Sequence, residues 1–193
     1  MTVGPVPRRG RLRAGRTVAA SPGTDAVGER RRALYTPEAL LDLHAGGHAG
    51  LRRLLAHCGG LAPDALHREL CDFGYPTVQR QLVHVIGAEH YWVGVLCGIV
   101  DADDRDDRYP TTVALEGWRA EVAAATDAYL RATSVEALNT PRAFTTWGGR
   151  AQVLVPARVL VRTVTHLFQH QGQVVAMCRR LGAPVTGLDF PVV

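Results

Sequence analysis

PARVLVRTVTHLFQHQGQVVAMCRRL, residues 156–181, carries the strongest structural signal in the chain. It opens on Pro156, whose fixed φ suits a first helical position, and it stops at Gly182 with Pro184 beyond. On a wheel of 100° per residue, Val159, Leu160, Val164, Leu167, Phe168, Val174, Val175 and Cys178 fill one broad arc. Arg158, Arg162, Gln169 and Arg180 lie opposite, and His166 and His170 sit at the edge of the apolar arc beside Val159 and Met177. A helix of this length with one apolar face must bury that face against other helices.

The rest of the chain supplies them. Thr36-Pro37-Glu38 is a helix start, with Thr as N-cap, and the first helix runs to about Cys58 before Gly59-Gly60. Its stripe is Leu40, Leu43, Leu51, Leu54 and Leu55. A short helical turn is expected from Pro63-Asp64 to about Leu70, then a loop to Tyr75. Pro76 opens a second helix that ends near Cys97 and Gly98. A charged loop, Asp101 to Arg108, leads to Thr111-Thr112, which caps a third helix ending near Ala132. Leu115, Trp118, Val122 and Leu130 lie along it. Between it and the fourth helix, Phe144 to Val153 reads as a small β-hairpin turning at Gly148-Gly149. The expected fold is all-α, a four-helix bundle over residues 35–193, with the tail from Ala183 to Val193 packed on it.

Composition narrows the function. The chain has 193 residues, enough for one domain with a proper core. No apolar run is long enough to span a membrane, and no apolar stretch of a secretory signal is visible, so a cytoplasmic protein is expected. All 22 basic residues are arginine, which excludes lysine Schiff-base chemistry. The net charge of +4 is misleading, because eight arginines against Asp25 and Glu29 give residues 1–33 a charge of +6 and leave −2 for the rest. Residues 1–34 read as a disordered Arg/Gly/Pro-rich head, and no nucleic-acid partner is expected for the folded part. Cys58, Cys71, Cys97 and Cys178 form no CxxC pair and read as small core residues in a reducing compartment.

The chemistry lies in histidines. An i, i+4 spacing puts His166 and His170 one turn apart on the inward face of the fourth helix, where two imidazoles can share an ion. A satisfied pair of core histidines would show the same spacing. His84, at the edge of the second helix's apolar arc, is the third candidate. Three imidazoles leave an open position on Zn²⁺ or a similar ion, which is the catalytic arrangement. Glu89 falls near the centre of that same arc, where a carboxylate is costly unless paired. It reads either as an internal salt bridge or as a partner of a ligand histidine or a proton acceptor. His44 and His48 form a second inward i, i+4 pair, among Gly46, Gly47 and Gly50, and spacing alone does not choose between the pairs. His57, His67 and His90 read as surface or loop residues.

The stretch 77–92, TVQRQLVHVIGAEHYW, resembles the second helix of the DinB/YfiT-like family of metal-dependent bundle proteins, with its ligand histidine followed by Ala-Glu and an aromatic residue. THLFQHQGQ, residues 165–173, resembles the family's fourth helix, and Gly182-Ala183-Pro184 with Leu188-Asp189-Phe190 resembles its tail. The resemblance covers residues 37–190 and selects His84, His166 and His170 as the metal ligands. It implies an up-up-down-down-type bundle, often a homodimer, holding Zn²⁺ or Ni²⁺, with Fe²⁺ and Mn²⁺ as further candidates. Several members are thiol S-transferases using mycothiol, bacillithiol or glutathione on small electrophiles. An arginine-only composition, such as a GC-rich genome produces, suits an actinobacterial host and mycothiol. The resemblance would make Arg162 and Gln173 holders of polar groups on the thiol or substrate, and Glu89, as the buried carboxylate, is the candidate catalytic residue, the base of a thiol-independent reaction unless the spare histidines fill that role. A thiol-independent isomerase, lyase or cyclase and a non-catalytic stress-response bundle are the other functions it admits.

Overall fold

The computed structural model describes residues 34–62, 64–101 and 106–192. The expected disordered head lies outside the described residues except for Leu34, as does much of the charged loop. The elements are α1 (Pro37–Gly59), α2 (Val78–Cys97), α3 (Thr112–Ala132), a short α4 (Val135–Asn139), β1 (Arg142–Thr146), β2 (Arg150–Leu154) and α5 (Pro156–Arg180). Four of the helices open on a hydroxyl that accepts the first free backbone N–H groups. Thr36, Thr77, Thr111 and Ser134 accept from Ala39, Arg80, Ala114 and Ala137 at 3.0–3.2 Å. Helix α2 therefore starts at Val78 behind a Thr77 cap, two residues later than Pro76 suggests. It ends by wrapping its last turn, with Gly98 left-handed at φ 81° and the Ile99 N–H bonded to Gly94 O at 2.8 Å.

The long helices form a bundle in which α1 and α2 occupy opposite corners, each packed against α3 and α5. At one end of the core lie Leu40 of α1, Val93 and Leu96 of α2, Leu130 of α3 and Leu160 of α5. At the other lie Leu54 and Cys58, Val78 and Leu82, Leu115, and Val174 and Cys178. The starts of α1 and α5 thus meet the ends of α2 and α3. The order is up-down-down-up, which corrects the up-up-down-down expectation. Each fully buried leucine stabilises the fold by about 1.5–3 kcal/mol.

The hairpin is present, antiparallel, with Arg142 opposite Leu154 and Thr146 opposite Arg150. Its tip is Trp147-Gly148-Gly149, and the Trp147 N–H donates to the Tyr91 hydroxyl of α2 at 2.9 Å. The C-terminal tail packs on the bundle as expected, since the Gln171 amide donates to Leu188 O at 2.8 Å and Leu188 is buried. The glycines of α1 admit this tail: a Cβ on Gly46 would stand 2.3 Å from the Phe190 ring. Cys58 and Cys178 are core residues. Cys71 and Cys97 are exposed, against expectation; Cys97 is the last residue of α2, where the buried face has already rotated away.

Two glycine substitutions test this architecture. A Cβ on Gly94 would stand 2.5 Å from the backbone oxygen of Ile99, while one on Gly117 in α3 would meet open space. In urea titrations, Gly94→Ala should destabilise by about 1–3 kcal/mol. Gly117→Ala should stabilise by about 0.5–1 kcal/mol.

Candidate metal centre

Helices α2 and α5 run antiparallel and pack along their length, which brings His84 against His166 and His170. His166 Nε2 lies 3.3 Å from His84 Nε2 and 3.0 Å from His170 Nε2. All three ligand atoms fall within 4.8 Å of one another. Two nitrogens about 2.05 Å from a zinc ion at a tetrahedral angle stand about 3.3 Å apart, so the spacing fits one shared ion.

The protonation chemistry fits as well. His170 Nδ1 lies 2.7 Å from Gln81 Oε1, and the Gln81 amide nitrogen donates to Tyr75 O at 3.1 Å. The amide oxygen can only accept, so Nδ1 carries the proton and Nε2 presents its lone pair to the group. Burial, then the His170 ring and Arg162, bring the His84 pKa down to about 4. Burial, then His170, His84 and Arg162, bring His166 to about 4. Burial lowers His170 too, and the side chain of Gln173 works the other way. At neutral pH the rings are uncharged, and each can turn an Nε2 lone pair to a shared cation. Tyr75 stacks on His84 with ring centres 4.1 Å apart and covers one side of the group.

Glu89 stands five residues beyond His84, about 140° around α2, and points elsewhere. Its oxygens lie 2.8 Å from His44 Nε2 and 2.8 Å from His48 Nε2, and the Thr126 hydroxyl donates to Oε1 at 2.6 Å. This is the internal salt bridge that the sequence allowed, and it absorbs the second histidine pair. His44, His48 and Glu89 also have ligand atoms close enough to share an ion. Hydrogen bonding distinguishes this group from the first. Arg119 Nη1 lies 3.1 Å from His48 Nδ1, and a guanidinium only donates, so Nδ1 accepts and the His48 proton sits on Nε2, facing Glu89. His44 faces Glu89 with Nε2 and Asp127 with Nδ1 at 3.1 Å, so both of its nitrogens donate. Burial opposes the charge on His44, but the bond and charge of Glu89, with Asp127 behind, hold its pKa above 6.5. Burial would likewise raise Glu89, yet its bonds from His44 and His48 hold it well below 4.5. Glu116 fixes Arg119 through two bonds of 2.7 Å. The second group is thus a clamp closed by its own protons, and it turns no ring lone pair toward its centre.

Arg162 is exposed one turn before His166, with its guanidinium carbon 5.0 Å from the centre of the Trp92 ring. Gln173 is partly buried beside His170, and its Oε1 has no hydrogen-bond partner. Both therefore border the three-histidine group, whereas Glu89 does not. The sequence reading missed Gln81, Tyr75, Thr126 and Arg119. Gln81, Thr126 and Arg119 are polar residues at buried positions of their helices, the same signal that singled out Glu89.

The sequence profile of the DinB family matches residues 49–193, a span that begins after His48 and contains His84, Glu89, His166 and His170. No curated protein sequence matches the chain. Among solved structures, the chain is similar to a DinB-like protein from Bacillus cereus ATCC 10987, at 19% identity and a TM-score of 0.62. The match covers 78% of this chain and 95% of that one, and at this identity it bears on the fold alone.

Two measurements follow from the site. Gln81→Leu should weaken Zn²⁺ binding about 10–100-fold in a chelator competition, because the His170 ring loses the acceptor that orients it. The clamp should impose its own pH dependence. Raised above 6.5, His44 contributes stability that is complete below 6.5 and is lost as pH rises through its folded value. Lowered below 4.5, Glu89 contributes stability present above 4.5 and lost as pH falls through its folded value. Glu89→Gln should therefore be less stable than wild type by about 3–5 kcal/mol near pH 6. The gap should narrow as the pH is raised; parallel profiles would contradict a proton-held clamp.

Proposed function

The chain belongs to the DinB family, and from that premise we propose that it is a divalent-metal-dependent thiol S-transferase, joining mycothiol or a similar small thiol to an electrophilic small molecule. The observation that carries this reading is the convergence of three uncharged imidazoles, one of them oriented by Gln81, at spacings suited to one ion. His84, His166 and His170 would hold that ion, Zn²⁺ in preference to Ni²⁺, Fe²⁺ or Mn²⁺, since three nitrogen ligands suit a tetrahedral d¹⁰ ion with one open position. When bound, it supplies Lewis acidity that lowers the pKa of a thiol presented to it.

The protein's own residues do the rest. Tyr75 shields one side of the histidine group from water. Arg162, spread over Trp92, offers a fixed cation to an anionic or polar group of the thiol or substrate. Gln173 sets an amide beside His170, where it would meet a polar group of the thiol or substrate. The oxygens of Glu89 already accept from His44, His48 and Thr126, which favours a reaction that does not use Glu89 as its base. That weighs against the thiol-independent isomerase, lyase or cyclase reading. Among the described residues no helix is long and apolar enough to cross a membrane, and a cytoplasmic setting, where such thiols stay reduced, belongs to the same proposal.

Zn²⁺-loaded protein should consume mycothiol, bacillithiol or glutathione in the presence of a panel of alkylating electrophiles, with adducts seen by mass spectrometry. His84→Ala should lower both retained metal and thiol consumption at least tenfold. A metal-loaded protein that forms no adduct with any of the three thiols would sink the transferase reading.

A further inference from the structure

Neither histidine group uses the two buried thiols. Cys58 lies in the last turn of α1 and Cys178 in the last turn of α5. The two helices run parallel, so these turns meet at the same end of the bundle. The sulfurs stand 3.9 Å apart, at hydrogen-bonding distance, and both residues are buried. Two further thiols, Cys71 and Cys97, are exposed.

We propose that Cys58 and Cys178 are a redox pair that a small hydroperoxide converts to a disulfide, stapling the first long helix to the last. A disulfide needs the sulfurs about 2.05 Å apart, an approach of about 2 Å from where they stand. Cys178 is the sulfur prepared to react first. Its pKa is pulled down by the hydrogen bond from Cys58, against burial, with His57 contributing after that. The Cys58 thiol is correspondingly raised, as the donor of that bond. Both residues lie in terminal turns, which open more readily than helix centres and admit a molecule as small as hydrogen peroxide.

The chemistry balances. The Cys178 thiolate attacks one peroxide oxygen and the O–O bond breaks. The departing hydroxide takes up the Cys178 proton as water, leaving a sulfenic acid. Cys58 then attacks the Cys178 sulfur, the S–O bond breaks, and the second water leaves with the Cys58 proton. Two thiols and one hydrogen peroxide give one disulfide and two waters, and the two electrons lost by the sulfurs reduce the peroxide. The link joins residues 120 positions apart, so it restricts most of the unfolded chain. It also ties α5, the helix bearing His166 and His170, to α1.

The test uses the full, metal-loaded chain and hydrogen peroxide. After treatment and denaturation, two of the four thiols should become untitratable. A non-reducing tryptic map should contain peptide 54–68 joined to peptide 163–179, 2 Da lighter than their sum. The melting temperature should rise by about 5–15 °C and fall back with dithiothreitol. Cys58→Ser should show neither the joined peptide nor the rise. If Cys58 and Cys178 remain free thiols in the oxidised wild type, or link only to Cys71 or Cys97, the proposal fails. The wild-type map alone decides this even where a cysteine variant folds poorly.

Discussion

A carboxylate at the centre of a helical bundle must be answered by donors, and the answer to Glu89 organises this protein. His44 and His48 reach it from α1, the corner diagonally opposite, and Thr126 reaches it from α3. Left without these partners, the buried charge would cost several kcal/mol. The bonds fix more than their own geometry. They set the rotation of α2 about its axis, and with Glu89 turned toward α1 and α3, the residues about 140° away are turned toward α5. His84 is one of them. The clamp on one side of α2 therefore positions His84 on the other, so that a structural ion pair and a candidate metal centre are two faces of one helix.

The two histidine groups look alike as inventories and differ in where their protons are. In the clamp, every ring nitrogen of His44 and His48 is paired with a carboxylate or a guanidinium, and the protons that close those bonds occupy the positions a cation would need. In the other group, Gln81 accepts a hydrogen bond from the Nδ1–H of His170 and leaves an Nε2 lone pair directed at its neighbours. Burial keeps these rings uncharged, with His84 and His166 at about 4. One arrangement is chemically complete without an ion; the other gains by acquiring one.

Much of this could be read from the residues, and the parts that could not have physical reasons. Helix ends were marked by capping threonines, by Pro37 and Pro156, and by Gly98 and Gly182, so the long helices stand where punctuation put them. Helix direction was not readable, because periodicity describes one helix at a time and says nothing of which corner the next one takes. Helix α4, Val135–Asn139, is too short to carry a period and announces itself only through the Ser134 cap. The i, i+4 spacing identified both histidine pairs and could not rank them. What ranks them is the partner of the other ring nitrogen: Gln81 for His170, Arg119 for His48. Both partners were visible as polar residues interrupting an apolar face, but their pairing is a fact of tertiary structure. Cys97 was misread because its neighbours Val95 and Leu96 are core residues while the helix ends before its own position faces inward again.

The central claim is that an ion is bound by the lone pairs of His84, His166 and His170 and not by the proton-filled clamp. Long-range ¹H–¹⁵N correlation spectra of the histidine rings, recorded while Zn²⁺ is titrated into the metal-free chain, address it directly. One equivalent should shift the Nε2 resonances of His84, His166 and His170, leaving His44 protonated on both nitrogens and His48 on Nε2. Zinc-induced shifts at His44 and His48, with the other three rings unmoved, would contradict it.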